Sequence, residues 1–371
     1  GEPIPTQRLL DGLEGRVSAT LCDSVQNMEI KNRYSVLTDY PGYICGRAKR
    51  GFTCSATGLA VAAIQRCLDS WDGDTNQVGL VIAATNSADR PLPCLGFELL
   101  AGLPGRLPDD ANVLNMQNMG CSSLIKALDV ARMFVALNPG KKAVVVAVEA
   151  ITGLAERLVA NHYRSFKETR RMSDQADMAR ERRNTQRFLF AMLFGDAAVA
   201  FVLGGSRREG LLGFGPAVHA TNLRPADTDI LRMNEGGIHM PILEEFPFYE
   251  MSDEVPQRGA AYASEILARL SRRYRLDNDV EKGILPKFDF YNIHTGSKKI
   301  LNGVFRTLDV DPLGSQARES LDVLSRCANT ATCSAGLMLA QRSAAPARDG
   351  VGLLLAFGVG FSASAAIVGA L

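Results

Sequence analysis

Residues that bind metals are scarce in this sequence. It has four histidines and eight cysteines, and no cysteine forms a Cys-x-x-Cys pair or lies at ligand spacing from a histidine. A metal site is therefore not expected. Most of the cysteines lie singly in apolar segments, which indicates free thiols in a reducing cytoplasm.

The chain also lacks an excess of charge and a long apolar run. Its 41 basic and 40 acidic side chains give a formal net charge of +1, so overall charge favours neither nucleic acid nor an anionic membrane as a partner. No apolar run reaches the roughly 18–20 residues that span a bilayer. The first residues contain no basic segment followed by an apolar one, so they are not expected to be a secretory signal.

A chain of 371 residues exceeds the usual size of one domain, so two halves with their own cores are expected. Short apolar runs typical of buried strands occur in both halves: Val78–Thr85, Ala143–Val148, Ala197–Leu203, Gly210–Phe214, Phe288–Ile293, Val351–Phe357 and Ser364–Leu371. Strands that are buried on both faces and separated by helices indicate sheets covered on both sides.

Helical patterns alternate with these runs. Helices are predicted over 56–71, 122–137, 255–274, 298–306 and 312–326, with another directly after Asn329. The Gly204-Gly205 pair predicts a boundary between an N-terminal half, 1–205, and a C-terminal half, 206–371. The polar, arginine-rich stretch near 163–187 interrupts the alternation, and we interpret it as an inserted helix or excursion. The similar order of elements in the two halves suggests a duplicated α/β unit.

Cys121 follows a glycine and opens a helix that is apolar nearly all round. The first turn of such a buried helix offers unpaired backbone N–H groups and the positive end of the helix dipole, which favour a thiolate. Attack on an acyl thioester requires a thiolate. Taken alone, Cys121 is better explained as a small buried residue.

Three features of the second half have both a structural and a functional interpretation. His294 ends an apolar strand, where open α/β sheets place functional groups. Asn329 precedes a helix of small residues and could be only its N-cap. The turn formed by Gly358, Val359 and Gly360 could be a plain hairpin turn, or it could offer backbone N–H groups to a substrate carbonyl.

Together and in this order, these motifs resemble those of β-ketoacyl-carrier-protein synthase III and type III polyketide synthases, which are condensing enzymes of the thiolase superfamily. The resemblance is carried by Gly120–Ser123, Asn292–Gly296, Asn329-Thr330 and Gly358–Gly360, and is extended by Asn32–Tyr34, Phe194–Ala198 and Met233–Phe248. It covers nearly the whole chain. It implies an α/β thiolase fold, a duplicated five-layered αβαβα architecture with mixed sheets.

The resemblance further implies a catalytic triad. Cys121 would carry the acyl group, while His294 and Asn329 would hydrogen-bond the carbonyl oxygen of an extender thioester and so stabilise its enolate. The backbone of Cys121 and of the 358–360 turn would hold the second oxyanion. The implied activity is a Claisen-type condensation of thioesters of coenzyme A or of an acyl carrier protein, without a metal or redox cofactor and in a homodimer.

Departures from the family patterns narrow the subclass. The last glycine-rich turn has no second cysteine, unlike that of degradative thiolases, and Asn329 stands where elongating synthases have a second histidine. Both favour the synthase III and polyketide branch. His294-Thr295-Gly296-Ser297 replaces the usual His-Pro-Gly-Gly of type III polyketide synthases, which argues against iterative ring formation. Stand-alone ketosynthases that join two β-ketoacyl chains into an α-pyrone are similar.

The remaining candidates concern substrate binding. Phe194 is either a core residue or a flank of the acyl pocket, and Lys298 and Lys299 are candidates for the rim of a phosphopantetheine tunnel. The arginines near 163–187 favour a solvated helix face over a docking patch for a carrier protein. His162, His219 and His239 are expected to have no catalytic role. A catalytically silent partner subunit is the alternative function, and the joint presence of Cys121, His294 and Asn329 argues against it.

Overall fold

The computed structural model describes residues 1–159, 161–205, 211–233, 249–252, 254–276, 285–344 and 350–370. The helices are α1 (Thr6–Gly12), α2 (Ala19–Gln26), α3 (Tyr40–Ile44), α4 (Ala56–Ser70), α5 (Leu95–Gly102), α6 (Ser123–Leu137), α7 (Phe166–Thr169), α8 (Gln175–Leu193), α9 (Val255–Tyr274), α10 (Lys298–Thr307), α11 (Arg318–Cys327) and α12 (Cys333–Ala344). The strands are β1 (Ile4–Pro5), β2 (Asn32–Arg33), β3 (Val78–Thr85), β4 (Asn112–Gln117), β5 (Lys142–Glu149), β6 (Ala197–Gly204), β7 (Leu212–Phe214), β8 (Val218–Thr221), β9 (Leu231–Met233), β10 (Tyr249–Met251), β11 (Phe290–Ile293), β12 (Val351–Gly358) and β13 (Ser362–Ala370).

Two mixed sheets form the frame of the molecule. In the first, the strand order is β4-β3-β5-β6, with β4, β3 and β5 parallel and β6 antiparallel to β5. In the second, β11 is parallel to β12, which is antiparallel to β13. Both β7 and β8 pair with β13. Apolar residues of both sheets meet in a single core, so the two halves fold against each other.

Five layers follow from the position of the helices. Helices α6 and α12 lie between the two sheets and share one apolar core with both. The outer face of the first sheet is covered by α4 and α5. The outer face of the second sheet is covered by α9, α10 and α11. This is the αβαβα order that the sequence motifs predicted, and it explains why the central strands are apolar on both faces.

The two halves repeat one unit. The order β3, α6, β5, β6 in the first half corresponds to β11, α12, β12, β13 in the second, with the same parallel and antiparallel pairings. Cys121, just before α6, and Asn329, just before α12, therefore occupy equivalent places. The carboxyl ends of β3 and β11 lead in the same way to Asn86 and His294.

Some sequence predictions differ from the structure in detail. The helix predicted from residue 312 begins at Arg318, because a turn at Asp311–Gly314 and a short 3-10 helix, Ser315–Ala317, precede it. Strands β4 and β8 were missed. The first four side chains of β4 alternate between exposed and half-buried, and three of its six residues are polar, so no apolar run marks that strand. The segment near 163–187 contains α7 and most of α8.

Candidate active site

Gly120 sets the position of the predicted nucleophile. Its φ of +72° lies in the left-handed region, and a Cβ atom there would lie only 2.2 Å from the backbone nitrogen of Val359. Only glycine permits this approach. The start of α6 therefore packs directly against the 358–360 turn, as an oxyanion site made from both segments requires.

The ionisation of Cys121 differs from the sequence-based expectation. The helix begins at Ser123, so Cys121 lies before its first turn, as a half-buried free thiol. Burial raises the pKa of the Cys121 thiol well above its usual value, and the nearby carboxylate of Glu149 raises it further. Desolvation of the thiolate thus outweighs the end of the helix. The raised pKa favours the thiol, which is the opposite of the direction expected from the start of a helix.

A buried hydrogen-bond network surrounds the glycine before Cys121. Glu149 is fully buried at the end of β5 and accepts from Asn86 Nδ2 at 2.6 Å and from Ser87 Oγ at 2.7 Å. Asn86 Oδ1 accepts from the Gly120 N–H at 2.8 Å. Burial raises the pKa of Glu149, whereas the hydrogen bonds it accepts act in the opposite direction.

Sequence reasoning missed this network. The sequence contained a signal for it. Asn86 directly follows one apolar strand and Glu149 ends another, at the edge of the sheet where α/β proteins place functional groups.

His294 follows the last residue of β11, and its backbone N–H continues the ladder to Leu355 O at 2.8 Å. The side chain is buried, and burial lowers the pKa of His294 to about 4. The imidazole is therefore neutral near pH 7. Its Nδ1 has no hydrogen-bond partner among the described residues.

Asn329 is held by its own side chain and backbone. Its Oδ1 accepts from the Ala331 N–H at 2.9 Å, and its Nδ2 donates to Gly296 O at 3.2 Å. Because α12 begins only at Cys333, Asn329 is not the N-cap of that helix. The second hydrogen of Nδ2 takes no part in the bond to Gly296, so Asn329 can act as a donor to a substrate oxygen.

Hydrogen bonds within the second half and between the two halves bring the segments of the three predicted residues into one region. Asn329 is bonded to Gly296, which lies two residues beyond His294. Thr332 Oγ1 donates to Gly120 O at 3.4 Å and accepts from Asn86 Nδ2 at 2.8 Å. The segment that precedes α12 therefore contacts both the end of β11 and the glycine before Cys121. The catalytic roles of the three residues stay predictions.

Phe194 lies beside Asn329. The Asn329 N–H donates to Leu193 O at 3.0 Å, and Gly195 N–H donates to Asn329 O at 3.1 Å. The half-buried Phe194 ring packs on Phe190 with ring centroids 4.8 Å apart. This location is compatible with both the core and the pocket interpretations.

The two lysines differ in environment. Lys298 forms an ion pair with Glu29 across the two halves, whereas Lys299 is exposed. A role at the rim of a substrate tunnel stays a prediction for both, and Lys299 has the more accessible ammonium group.

The other histidines lie outside the candidate triad. The ring of His219 hydrogen-bonds Ser364 Oγ at 2.9 Å and lies 3.6 Å from Asp129. His162 is exposed. His239, with most of the 233–248 element, falls outside the described residues.

The arginine-rich segment forms its own ion pairs. Arg164 contacts Glu181 at 3.1 Å, Arg180 contacts Asp177 at 2.7 Å and Arg187 contacts Glu156 at 3.0 Å. These pairs favour the solvated, internally paired helix face over a patch of free cations. Docking of a carrier protein there stays a prediction.

The described residues contain neither a metal-binding cluster nor a membrane-spanning helix. No group of three or more His, Cys, Asp or Glu side chains is arranged to hold a metal ion in the described ranges. Within those ranges, no helix is both long and apolar enough to cross a membrane.

Comparison with known proteins connects this geometry to a group of enzymes. No sequence-family profile matches the chain. The chain is 25% identical over 308 residues to the α-pyrone synthesis polyketide synthase-like Pks18 of Mycobacterium tuberculosis, a match that covers 82% of this chain and 68% of that protein.

Among solved structures, the type III polyketide synthase domain of Steely1 from Dictyostelium superimposes with a TM-score of 0.77 at 19% identity, covering 100% of this chain and 96% of that one. CsyB in complex with coenzyme A gives a TM-score of 0.72 at 17% identity, covering 100% and 97%. The chain therefore has the fold of type III polyketide synthases and resembles them in sequence, as its motifs predicted.

Proposed function

We propose that this thiolase-fold protein is an acyltransferase of the polyketide synthase type. It joins two acyl thioesters by a Claisen-type condensation through an acyl group held on Cys121. The sequence similarity to a polyketide synthase-like relative over most of the chain supports the reaction class. The observation that carries the assignment of the site is the junction of the halves, where segments bearing Cys121, His294 and Asn329 contact one another.

In the first step, Cys121 attacks the carbonyl carbon of an acyl thioester. Because Cys121 rests as a thiol, it releases its proton as the new carbon–sulfur bond forms. The leaving thiolate of the substrate takes up that proton. The backbone N–H groups of Cys121 and of the 358–360 turn stabilise the tetrahedral oxyanion, a role that the close packing of Gly120 against Val359 supports.

In the second step, a malonyl-type thioester loses carbon dioxide, or a β-ketoacyl thioester gives up its acidic α-proton to solvent, and an enolate results. Neutral His294 and the Nδ2 of Asn329 are the two donors to the enolate oxygen. Such preorganised donors are each worth roughly 3–4 kcal/mol of barrier. The enolate carbon attacks the acyl carbonyl, and the Cys121 thiolate leaves and takes up a proton from solvent.

The substrates proposed are coenzyme A thioesters, with carrier-protein thioesters as a second source of the same chemistry. The complex of the structural neighbour CsyB with coenzyme A supports the former. By analogy with the relative named for α-pyrone synthesis, an α-pyrone from two β-ketoacyl chains is the product class we propose. No metal or redox group is needed by these steps. The eight free cysteines are in keeping with the proposed cytoplasmic location.

We further propose a homodimer formed along β4. This strand is at the edge of the first sheet, with one side unpaired among the described strands. Exposed apolar residues lie on and near it: Leu92, Phe97, Leu114 and Met119. An unpaired edge beside exposed apolar side chains favours pairing with a second copy.

The direct test is the intact mass of the protein after incubation with an acyl-coenzyme A. We expect an increase equal to the acyl group, and we expect Cys121→Ala to abolish it. Cys54→Ala, which removes another half-buried thiol of the same half, should retain it. An adduct that persists in Cys121→Ala would remove the nucleophile assignment. A wild-type chain that takes up no acyl group would instead favour the silent-subunit alternative.

A further inference from the structure

The inner face of β11 holds an unexpected polar residue. Side chains alternate along a strand, and Tyr291 and Ile293 belong to the outer core under α9, α10 and α11. Phe290 belongs to the central core between the sheets. Asn292 therefore faces the same central layer, between Phe290 and His294. Its strand partner, Leu354, also belongs to that central core.

The side chain of Asn292 has unmet hydrogen-bonding capacity. It is 0% exposed, and neither its Nδ2 nor its Oδ1 has a partner among the described residues. His294 Nδ1, on the same face two residues further on, is also without a partner there. An unsatisfied buried polar group costs about 1–3 kcal/mol, so two such groups side by side indicate a shared partner.

The spacing suits one intervening water molecule. Residues i and i+2 of a strand are about 7 Å apart at Cα, and their side chains stand side by side on one face. A buried water requires two to four polar partners, which the Asn292 amide and His294 Nδ1 supply. We propose that Asn292 is a positioning residue for His294, and that its Nδ2 donates to a bound water that in turn donates to His294 Nδ1.

This arrangement selects one tautomer of the neutral imidazole. Because Nδ1 accepts a hydrogen bond, the ring proton resides on Nε2. An Nε2–H is a donor, as required for the contact with the enolate oxygen. The catalytic consequence rests on the proposed function, whereas the tautomer itself does not depend on it.

The test is NMR of the protein labelled with ¹⁵N in its histidine rings, at pH 7. The sequence has only four histidines, and His294→Gln identifies the signals of His294. We expect the wild-type ring to be protonated on Nε2. Asn292→Ala should give a mixture of tautomers. Asn292→Ser has nearly the same volume as the alanine variant, but its hydroxyl can donate to the water, so it should retain Nε2–H. The ring of His219, which bonds Ser364, serves as an internal control.

Kinetics provide the second readout. Asn292→Ala should lower kcat roughly tenfold to a hundredfold, with KM changed little, by analogy with the loss found when a partner that orients a metal-bound imidazole is removed. Asn292→Ser should recover most of kcat. A purely structural residue would lower the unfolding temperature of both variants without altering the tautomer.

Two results would overturn the inference: a wild-type His294 protonated on Nδ1, or an alanine variant with the wild-type tautomer and kcat. The wild-type measurement alone decides the first, even if neither variant folds. Failure of acyl transfer to Cys121 would refute the proposed function but would leave the tautomer assignment intact.

Discussion

Asn86 donates a hydrogen bond to the buried carboxylate of Glu149 at 2.6 Å, and through its other side-chain atom it holds the Gly120 N–H at 2.8 Å. The Asn86 side chain thus holds in place both the Glu149 carboxylate near Cys121 and the backbone of the residue before Cys121. A negative charge beside a nucleophilic thiol opposes its ionisation. The buried carboxylate therefore favours the protonated form of the Cys121 thiol.

Replacing Glu149 by glutamine should make Cys121 easier to ionise. The carboxylate raises the pKa of the Cys121 thiol, so its neutralisation should shift alkylation by iodoacetamide to lower pH. In the wild type we expect the rate at Cys121 to keep rising through pH 9, without a plateau. Peptide mass spectrometry, with half-buried Cys54 as reference, measures both profiles. Superimposable profiles would contradict the electrostatic role of Glu149.

Gly120→Ala should damage both stability and activity. The substitution forces a Cβ against the backbone of Val359 and places a non-glycine residue at a φ of +72°. We expect the free energy of unfolding to fall by about 2–5 kcal/mol. Gly105→Ala is the matched control, because Gly105 also has a positive φ, +68°, but open space around it. Its expected cost in urea denaturation is only about 1–2 kcal/mol, and equal costs would argue against the close approach.

Protonation of His294 should destabilise the fold in mild acid. The folded pKa of about 4 lies below the unfolded value of about 6.5, so between these pH values the unfolded chain binds a proton that the folded chain does not. Stability should therefore fall as the pH decreases through this window, by up to about 3 kcal/mol.

His294→Gln should remove that dependence. Asp196, whose pKa burial raises to about 6, acts in the opposite direction but is present in both proteins, so their difference isolates His294. Urea denaturation at several pH values between 4 and 7 makes the measurement. Parallel stability curves for the two proteins would contradict the lowered pKa.

A charge on the edge strand should weaken the proposed dimer. Leu114 of β4 is 37% exposed, and Leu114→Lys would place an ammonium group in the apolar contact. Sedimentation should show the variant shifted towards the monomer. Leu313→Lys, at a site 92% exposed in the second half, should leave the association unchanged. A wild-type chain that sediments as a monomer would refute the proposed association.

Binding of the coenzyme A phosphates should depend on the charge of Lys299. Lys299→Ala is expected to raise KM for a coenzyme A thioester about twofold to fivefold, since an exposed charge pair contributes up to about 1 kcal/mol. The effect should shrink at high salt. Lys298→Ala should have less effect, because Glu29 already engages that ammonium group. Unchanged KM values for both variants would place the phosphates elsewhere.

The strands and central helices were predictable where the apolar pattern is strong. Val78–Thr85 was predicted exactly as it occurs, because all but one of its residues are buried. By contrast, β4 escaped detection because its Asn112, Asn115 and Gln117 give no apolar run. The start of α11 was misplaced because the turn around Gly314 cannot be distinguished from a helix start by periodicity alone.

The sequence by itself determined the fold and named the three candidate residues, because apolar periodicity and ordered motifs are local properties of the chain. Only the tertiary structure decided their surroundings. The carboxylate of Glu149 near the thiol, the neutral state of His294 and the Asn292 amide that has no partner among the described residues all follow from burial and from contacts between distant segments. Desolvation depends on what packs around a group, and no local pattern encodes it.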